Sequence, residues 1–249
     1  MWRATLPDRH QVRLLRAARE KFDLRPLAIH VNYLINLASL DPVIRAKSIA
    51  AFRGELERAH IIGAEYLVLH PGSYRGHTPE EGIAAFVLGL RDAAKGLDTG
   101  GLAVLLENTA GTGCHLGSRF DELRALRDLA GEVTDVPIGY CLDTCHLLAA
   151  GFDITTPGGL RATLRSADAL LGLANIGLIH ANDSKGALGS KTDRHANIGE
   201  GYIGRAAFHR ILTHPKLRTK PFILETPIED EGDDRRNLDT LKRLAARRP

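Results

Sequence analysis

Residue types that commonly bind metal ions follow six short apolar runs of this sequence. One run, residues 176–180, ends at His180, and the Gly- and Ser-rich loop behind it carries Asp193 and His195. The residues at the ends of the six runs are His30, His70, Glu107, Asp143, His180 and Glu225. Imidazole and carboxylate groups are ligands for zinc and related divalent metals. The pattern therefore predicts metal-dependent chemistry.

The number of candidate ligands indicates more than one metal ion. The loops behind the runs add His146, Asp193 and His195, which makes nine ligands in total. Catalytic zinc usually takes about three protein ligands and keeps one position open, so nine suit two or three ions. Closely spaced ions are suited to phosphate-ester hydrolysis, because they generate hydroxide near neutral pH and stabilise the leaving oxygen. Glu107, near the middle of the series, is the candidate bridging ligand.

Each candidate ligand, taken alone, could also be an ordinary hydrogen-bonded residue at the end of a strand. The shared position at all six runs favours the metal-binding interpretation. Six other histidines fall in predicted helices or loops and are interpreted as surface or helix-end residues: His10, His60, His77, His115, His209 and His214. Cys141 and Cys145 flank Asp143 and are interpreted as small buried apolar residues.

The apolar runs alternate with amphipathic stretches, and this pattern predicts βαβ units with a parallel sheet. Helix starts are indicated at Asp41-Pro42, at the capping box Thr78–Glu81 and at Thr156-Pro157. Nothing in the chain suggests a domain boundary, so we expect a single domain over residues 1–249. In a closed α/β barrel the carboxyl ends of the strands meet at one mouth, which would bring all nine ligands to one cavity.

The composition excludes several other classes of protein. With 249 residues, 44% of them hydrophobic, and a net charge of +3, the chain is an ordinary globular protein without a strong bias toward polyanions. No run approaches the roughly 18 apolar residues of a membrane span, and the N-terminus does not resemble a signal peptide. Three cysteines without a CxxC pair favour a reducing compartment. We therefore expect a cytoplasmic protein. We also expect it to act as a monomer.

At these residues the chain resembles the endonuclease IV family, the zinc-dependent apurinic/apyrimidinic endonucleases of base-excision repair. The resemblance covers nearly the whole chain, and its motifs are specific only when they are taken together. They occupy residues 70–73, 107–111, 141–146 with 149–153, 180–185, 189–195 with 199–201, and 224–226.

The resemblance implies a TIM-type (β/α) barrel that cuts duplex DNA on the 5′ side of abasic sites and leaves a 3′-hydroxyl. Six of the usual eight strands are visible in this chain. The resemblance also implies three zinc ions, with Glu107 or Glu225 orienting the attacking water. His30 and His70 would bind the first ion, with Glu107 as a bridging ligand. Asp143, His180 and Glu225 would bind the second ion together with Glu107. The third ion would be bound by His146, Asp193 and His195.

The resemblance also implies residues that would contact DNA. Tyr33, three residues after His30, matches a position that the family inserts into the stack of bases. An aromatic side chain packed at the rim of the barrel is the alternative. Lys185, Lys191 and Arg194 lie in loops beside the predicted site, where they could contact phosphates or simply be solvated.

The start of the chain departs from the family pattern, which opens with a strand, a helix, a strand and a DNA-contacting loop. These elements precede the tryptophan that Trp2 matches. We therefore expect unpaired edges on the first and last strands, and a gene product that begins upstream of Met1.

Two alternatives remain at this point. A sugar isomerase or epimerase of the xylose-isomerase-like barrels would share the fold but would leave His146, Asp193 and His195 without a role. An inactive truncated barrel that binds metal or DNA without turnover is the other alternative.

Overall fold

The computed structural model describes residues 5–246, which form two compact units. The first unit runs to Glu107 and includes Cys114–Leu116 and Glu122–Gly139; the second comprises Asn108–Gly113, Gly117–Asp121 and the chain from Tyr140 onward. Trp2, which the resemblance aligns with a family tryptophan, lies outside the described residues. Across residues 5–246, none of the helices has the length and apolar character that a membrane span requires.

The first unit contains three parallel strands, paired in the order β1, β2, β3. The strands are β1 (Ala28–His30), β2 (Tyr66–Leu69) and β3 (Ala103–Glu107). The helices of this part of the chain are α1 (Arg9–Phe22), α2 (Pro42–Ile62), α3 (Pro79–Ala94) and most of α4 (Phe120–Gly131). Leu67 and Val68 are consecutive residues of β2, so their side chains point to opposite faces of the sheet, and both are buried. Burial on both faces explains why these strands read as apolar runs in the sequence.

The second unit also contains three parallel strands, paired in the order β4, β5, β8. They are β4 (Ile138–Asp143, whose residues from Tyr140 belong to this unit), β5 (Ile176–His180) and β8 (Phe222–Ile223). A separate antiparallel pair joins β6 (Asp183–Ser184) to β7 (His195–Ala196). The helices are α5 (Thr144–Ala150), α6 (Pro157–Leu170), α7 (Gly204–Thr213) and α8 (Asp233–Ala246).

The six strands predicted from the apolar runs are all present. Four of the predicted ligands are the last residues of their strands: His30, Glu107, Asp143 and His180. His70 follows β2 directly, whereas Glu225 lies two residues beyond the short strand β8. Among the described residues β1 pairs only with β2 and β8 only with β5, so each strand keeps one open edge.

The helix starts follow the predicted capping residues. The Asp41 carboxylate accepts hydrogen bonds from the backbone N–H groups of Val43 and Ile44 at 2.9 and 2.8 Å. Thr78 and Glu81 form the predicted capping box of α3. These bonds satisfy backbone donors that have no partner inside the first turn of a helix.

Each unit has its own apolar core. In the first unit, Phe52 of α2 and Phe86 of α3 are completely buried. In the second unit, Phe208 of α7 is also completely buried, and the ring of Phe120 stacks on that of Phe152 with 4.2 Å between their centroids. These cores hold the helices against the strands that carry the candidate ligands.

His146 lies on a helix, which corrects its assignment to a loop. Helix α5 begins directly after β4, where the Asp143 carboxylate accepts the backbone N–H of His146 at 2.7 Å and so caps the helix. It ends at Gly151, whose φ of 103° lies in the left-handed region that favours glycine. Because α5 has only seven residues, its helical period is easily mistaken for the end of a strand and a loop.

Asp153 fixes the connection between α5 and α6, and its removal should weaken the fold. The hydroxyl groups of Thr156 and Thr155 donate to its carboxylate at 2.6 and 2.7 Å and lower the pKa of Asp153 to about 2. The hydroxyl of Thr156 in turn accepts the backbone N–H of Gly159 at 3.0 Å and caps α6. We expect Asp153→Ala to lower the free energy of unfolding by about 1–2 kcal/mol at pH 7.

The pH dependence of this loss provides the check. Because the pKa of Asp153 in the fold lies below its ordinary value of 3.8, its stabilising effect is complete above that value. The effect is lost as the pH falls through about 2. Urea unfolding gives the free energy of unfolding of the wild type and of Asp153→Ala. The difference between the two proteins should be the same at pH 7 and pH 5 and smaller at pH 3. A difference that does not change with pH would contradict this role.

Candidate metal centre

Three predicted ligands come together in the first unit. One ligand atom from each of His30, His70 and Glu107 lies within 4.8 Å of those from the other two. Oε2 of Glu107 is 2.9 Å from Nε2 of His30 and 3.9 Å from Nε2 of His70. Glu107 is completely buried. A carboxylate shielded from water between two imidazoles is an arrangement that a divalent cation would stabilise.

Three more predicted ligands come together in the second unit. Atoms of Asp143, His180 and Glu225 also lie within 4.8 Å of one another. Nδ1 of His180 is 3.1 Å from Oε2 of Glu225. Asp143 and His180 are buried, whereas the Glu225 side chain keeps 34% of its surface exposed. This group therefore combines buried ligands with one carboxylate that solvent can reach.

Asp193 brings His146 and His195 into a further group in the second unit. Its Oδ1 is 3.1 Å from Nε2 of His146 and 3.5 Å from Nε2 of His195. Asp143 lies close to the same two rings, with its Oδ2 at 3.8 Å from Nε2 of His195. His195 lies not in a loop, as predicted, but in β7, where it pairs with Ser184 of β6.

Backbone carbonyl groups set the orientation of three of the imidazole rings. Nδ1 of His30 lies 2.8 Å from the carbonyl oxygen of Val31. Nδ1 of His146 lies 2.9 Å from the carbonyl oxygen of Asn108, and Nδ1 of His195 lies 2.9 Å from that of Glu225. Since a carbonyl oxygen can only accept, each Nδ1 donates, and in a neutral ring the lone pair then lies on Nε2. This is the neutral tautomer that binds metal.

The donor set fits zinc. Nε2 of His195 is buried and makes no hydrogen bond within residues 5–246, so its lone pair is available for a cation. All nine donors are imidazole nitrogens or carboxylate oxygens, which zinc prefers.

Cys145 is a poorer candidate, although its sulfur lies within 4.8 Å of atoms of Asp193 and His195. Burial, reinforced by the negative charge of Asp143, raises the pKa of Cys145 to about 11. Its thiol donates to the carbonyl of Arg194 at 3.7 Å. Because thiolate and not thiol is the metal ligand, Cys145 acts as a buried neutral side chain, as the sequence suggests.

The chain is similar to known proteins in both sequence and fold. A family model described as Xylose isomerase-like TIM barrel matches residues 2–245. A Solibacter usitatus protein named probable endonuclease 4 is 74% identical over 245 residues, which cover 98% of this chain and 84% of the relative. The crystal structure of endonuclease IV from Thermus thermophilus has a TM-score of 0.83 and 37% identity, and the match covers 98% of this chain and 84% of that chain. The chain belongs to the endonuclease IV family.

Membership of the endonuclease IV family confirms the predicted fold class, a TIM-type α/β barrel with six visible strands, and the prediction that the chain is an enzyme. A D-tagatose 3-epimerase-like protein has a TM-score of 0.69 at 21% identity. At that identity the likeness shows the fold alone. The candidate metal-binding groups described above are present in this endonuclease IV family member, while the identity and number of the ions stay predictions.

The loop that carries Asp193 is fastened to α5. The backbone N–H of Lys191 donates to the carbonyl of Ala149 at 3.0 Å, and the hydroxyl of Thr112 donates to the carbonyl of Lys191 at 2.7 Å. Lys191 has a φ of 53° in the left-handed region, which a lysine adopts only where its surroundings hold it. The loop thus presents Asp193 to His146 from a fixed backbone.

Three buried polar residues support the ligands, and none of them has a role predicted from the sequence. Asn108 pairs with the backbone of Asp143, and Asn182 contacts the Glu225 carboxylate. Asp183 accepts the backbone N–H groups of Ser184, Gly199 and Ile203, which holds the loop after β7. All three lie one to three residues after a predicted ligand, and this adjacency is the signal that could have revealed them.

The residues predicted to contact DNA are exposed. The Tyr33 side chain is 86% exposed, so it is not packed at a rim. Lys185, Lys191 and Arg194 are also exposed. Nζ of Lys185 lies 4.0 Å from Oε1 of Glu229. Arg194 donates to the carbonyl of Asp193 at 2.9 Å.

Proposed function

We propose that the protein hydrolyses the phosphodiester on the 5′ side of abasic sites in duplex DNA, using three zinc ions, and leaves a 3′-hydroxyl. The observation that carries the proposal is the grouping of the predicted ligands. His30, His70 and Glu107 lie together in the first unit, and the remaining six lie together in the second: Asp143, His146, His180, Asp193, His195 and Glu225. Membership of the endonuclease IV family supports the same activity.

Each zinc ion would have its own set of ligands. His30 and His70 would hold the first, Asp143, His180 and Glu225 the second, and His146, Asp193 and His195 the third. The bridging role of Glu107 rests on the family resemblance. When bound, zinc acidifies water, neutralises the charge of the phosphate and stabilises the leaving oxygen.

Glu225 is the better of the two candidate bases, because its side chain is partly exposed while that of Glu107 is completely buried. Solvent reaches part of the Glu225 side chain, and Nδ1 of His180 lies 3.1 Å from its Oε2. Glu225 would orient the attacking water and accept its proton, and Glu107 would serve as a ligand.

DNA would be bound by exposed residues of the loops. Lys185, Lys191 and Arg194 would contact phosphates, which position a duplex without reading its sequence. Tyr33 would enter the stack of bases at the lesion. Turning out an abasic nucleotide costs less than turning out a paired base, because no base pair is lost, and this favours damaged DNA. The protein would act as a monomer in the cytoplasm, where its cysteines stay reduced.

Tyr33→Ala should weaken binding of abasic DNA without changing the metal content. Stacking of an aromatic side chain on a base contributes about 1–3 kcal/mol, so Kd should rise by roughly 5- to 150-fold. Fluorescence anisotropy with a labelled abasic duplex measures this change. Phe22→Ala removes another exposed aromatic residue, on α1 of the same unit, and should bind as the wild type does. Equal Kd values for Tyr33→Ala and the wild type would exclude Tyr33 from the DNA contact.

The proposed function is tested by giving one preparation three substrates. These are a duplex with one abasic-site analogue, the same duplex without the lesion, and a ketohexose with its C3 epimer as the marker of reaction. We expect cutting of the abasic duplex alone. Epimerisation of the sugar without cutting would favour the sugar-barrel alternative. Zinc binding without turnover of any substrate would favour the inactive barrel.

A further inference from the structure

The side chain of Asn182 lies between two of the predicted zinc ligands in the second unit. It is completely buried. Its Nδ2 donates to Oδ2 of Asp143 at 2.5 Å and lies 3.4 Å from Oε2 of Glu225. Its Oδ1 accepts the backbone N–H of Glu225 at 2.8 Å. One neutral amide therefore contacts a carboxylate at the end of β4 and both the backbone and the carboxylate of a residue that follows β8.

Asn182 is itself held firmly. Its backbone N–H donates to the hydroxyl oxygen of Thr144 at 2.9 Å, and that hydroxyl lies 2.7 Å from the carbonyl of Asn182. Thr144 is the first residue of α5 and is buried. The amide thus starts from a fixed backbone position, two residues after His180, and has little freedom to turn.

We infer that Asn182 is a positioning residue that aims the carboxylates of Asp143 and Glu225 at the second zinc ion. Oδ1 of Asp143 accepts the backbone N–H of His146 at 2.7 Å, and Oδ2 accepts from Asn182. With both oxygens held, the Asp143 carboxylate cannot rotate about its last bond. Each oxygen keeps a further lone pair for a metal ion.

The chemistry of this position favours an amide. It needs a donor toward two carboxylates and an acceptor toward the backbone N–H of Glu225. Among uncharged side chains of this length, only asparagine has both. An aspartate would place a third negative charge against Asp143, and an apolar residue would leave the buried N–H of Glu225 without an acceptor. A neutral amide orients the two carboxylates without cancelling the charge that attracts the cation.

This inference rests on the proposal that Asp143, His180 and Glu225 bind zinc, and it extends that proposal to the group behind the ligands. Replacing a residue that hydrogen-bonds to a metal ligand typically lowers metal affinity by about 10- to 100-fold. We therefore expect Asn182→Ala to release one of the three zinc ions at a chelator concentration at which the wild type keeps all three.

Asn237→Ala is the matched control. Asn237 of α8 is also buried and makes three hydrogen bonds, to the backbone N–H of Ile198, to Oδ1 of Asn197 and to the carbonyl of Asp233. None of these partners is a predicted ligand. Loss of a buried asparagine should therefore lower stability in both variants but lower zinc affinity only in Asn182→Ala.

Each protein is equilibrated with a graded series of chelator concentrations, and elemental analysis gives the number of zinc ions per chain. Circular dichroism gives the melting temperatures of the metal-free proteins. We expect a zinc-release midpoint at 10- to 100-fold less free chelator for Asn182→Ala than for Asn237→Ala, with comparable melting temperatures. If Asn182→Ala fails to fold, Asn182→Ser, whose short hydroxyl cannot reach both carboxylates, takes its place.

Three results distinguish the proposals. If the Asn182 variant releases zinc at the same chelator concentration as the wild type, the positioning role is overturned and the proposed function stays intact. Equal weakening in the Asn182 and Asn237 variants would also overturn it, since the effect would then come from general destabilisation. A wild type that holds fewer than three zinc ions would refute the zinc cluster and the inference together.

Discussion

Incision should be lost when Glu107 is replaced by alanine. This side chain is completely buried and lies 2.9 Å from Nε2 of His30. Its removal would leave two neutral imidazoles without an anionic partner at the first zinc ion. The loss of zinc affinity should exceed the roughly 10- to 100-fold that is typical of residues behind the ligands. Zinc analysis and gel-based incision of an abasic duplex measure the two effects.

Glu107→Gln is the control for the cavity that alanine leaves in the buried site. Glutamine keeps the volume of the side chain but carries no negative charge. We expect Glu107→Gln to fold as stably as the wild type, to hold less zinc and to lack incision. Wild-type incision by either variant would remove Glu107 from the proposed site.

Glu225→Gln should lower the rate of incision by about 10²- to 10⁴-fold, the range typical for loss of a general base. Glutamine cannot accept the proton of the attacking water, although its carbonyl oxygen can still face His180. The DNA-binding residues are unchanged, so Kd for the abasic duplex should stay near the wild-type value. Single-turnover incision measures the rate, and fluorescence anisotropy measures Kd.

Glu229→Gln is the matched control, because Glu229 lies four residues further along the chain with an exposed side chain. We expect this variant to cut at the wild-type rate. Unchanged single-turnover incision by Glu225→Gln would exclude Glu225 as the base. If Glu107→Ala also retained full incision, the metal groups would have no part in the mechanism.

The strands and the candidate ligands could be predicted because local sequence determines both. The apolar runs that end at Glu107 and Asp143 are buried strands, and their polar last residues stand where parallel strands present functional groups. Capping residues such as Asp41 and Thr78 define helix starts through contacts within three residues. These signals need no knowledge of the rest of the fold.

Other features depend on contacts between distant segments and could not be predicted. The tautomer of His146 depends on the carbonyl of Asn108, 38 residues earlier in the chain. The strand pair β6–β7, which places His195, closes a ten-residue loop whose sequence has no strand period. The position of Asn182 two residues after His180 is a signal in the sequence, but its contacts with Asp143 and Glu225 join segments that are distant in the chain.

Action of tightly bound zinc on the bond 5′ to an abasic site is tested most directly by end-group analysis of the cut strand. A duplex with one abasic-site analogue is treated with the protein in the absence of magnesium, with brief exposure to EDTA. We predict a single cut on the 5′ side that leaves a 3′-hydroxyl, survives brief EDTA and disappears after prolonged chelation. A cut on the 3′ side, or a cut that requires added magnesium, would contradict cleavage by tightly bound zinc on the 5′ side.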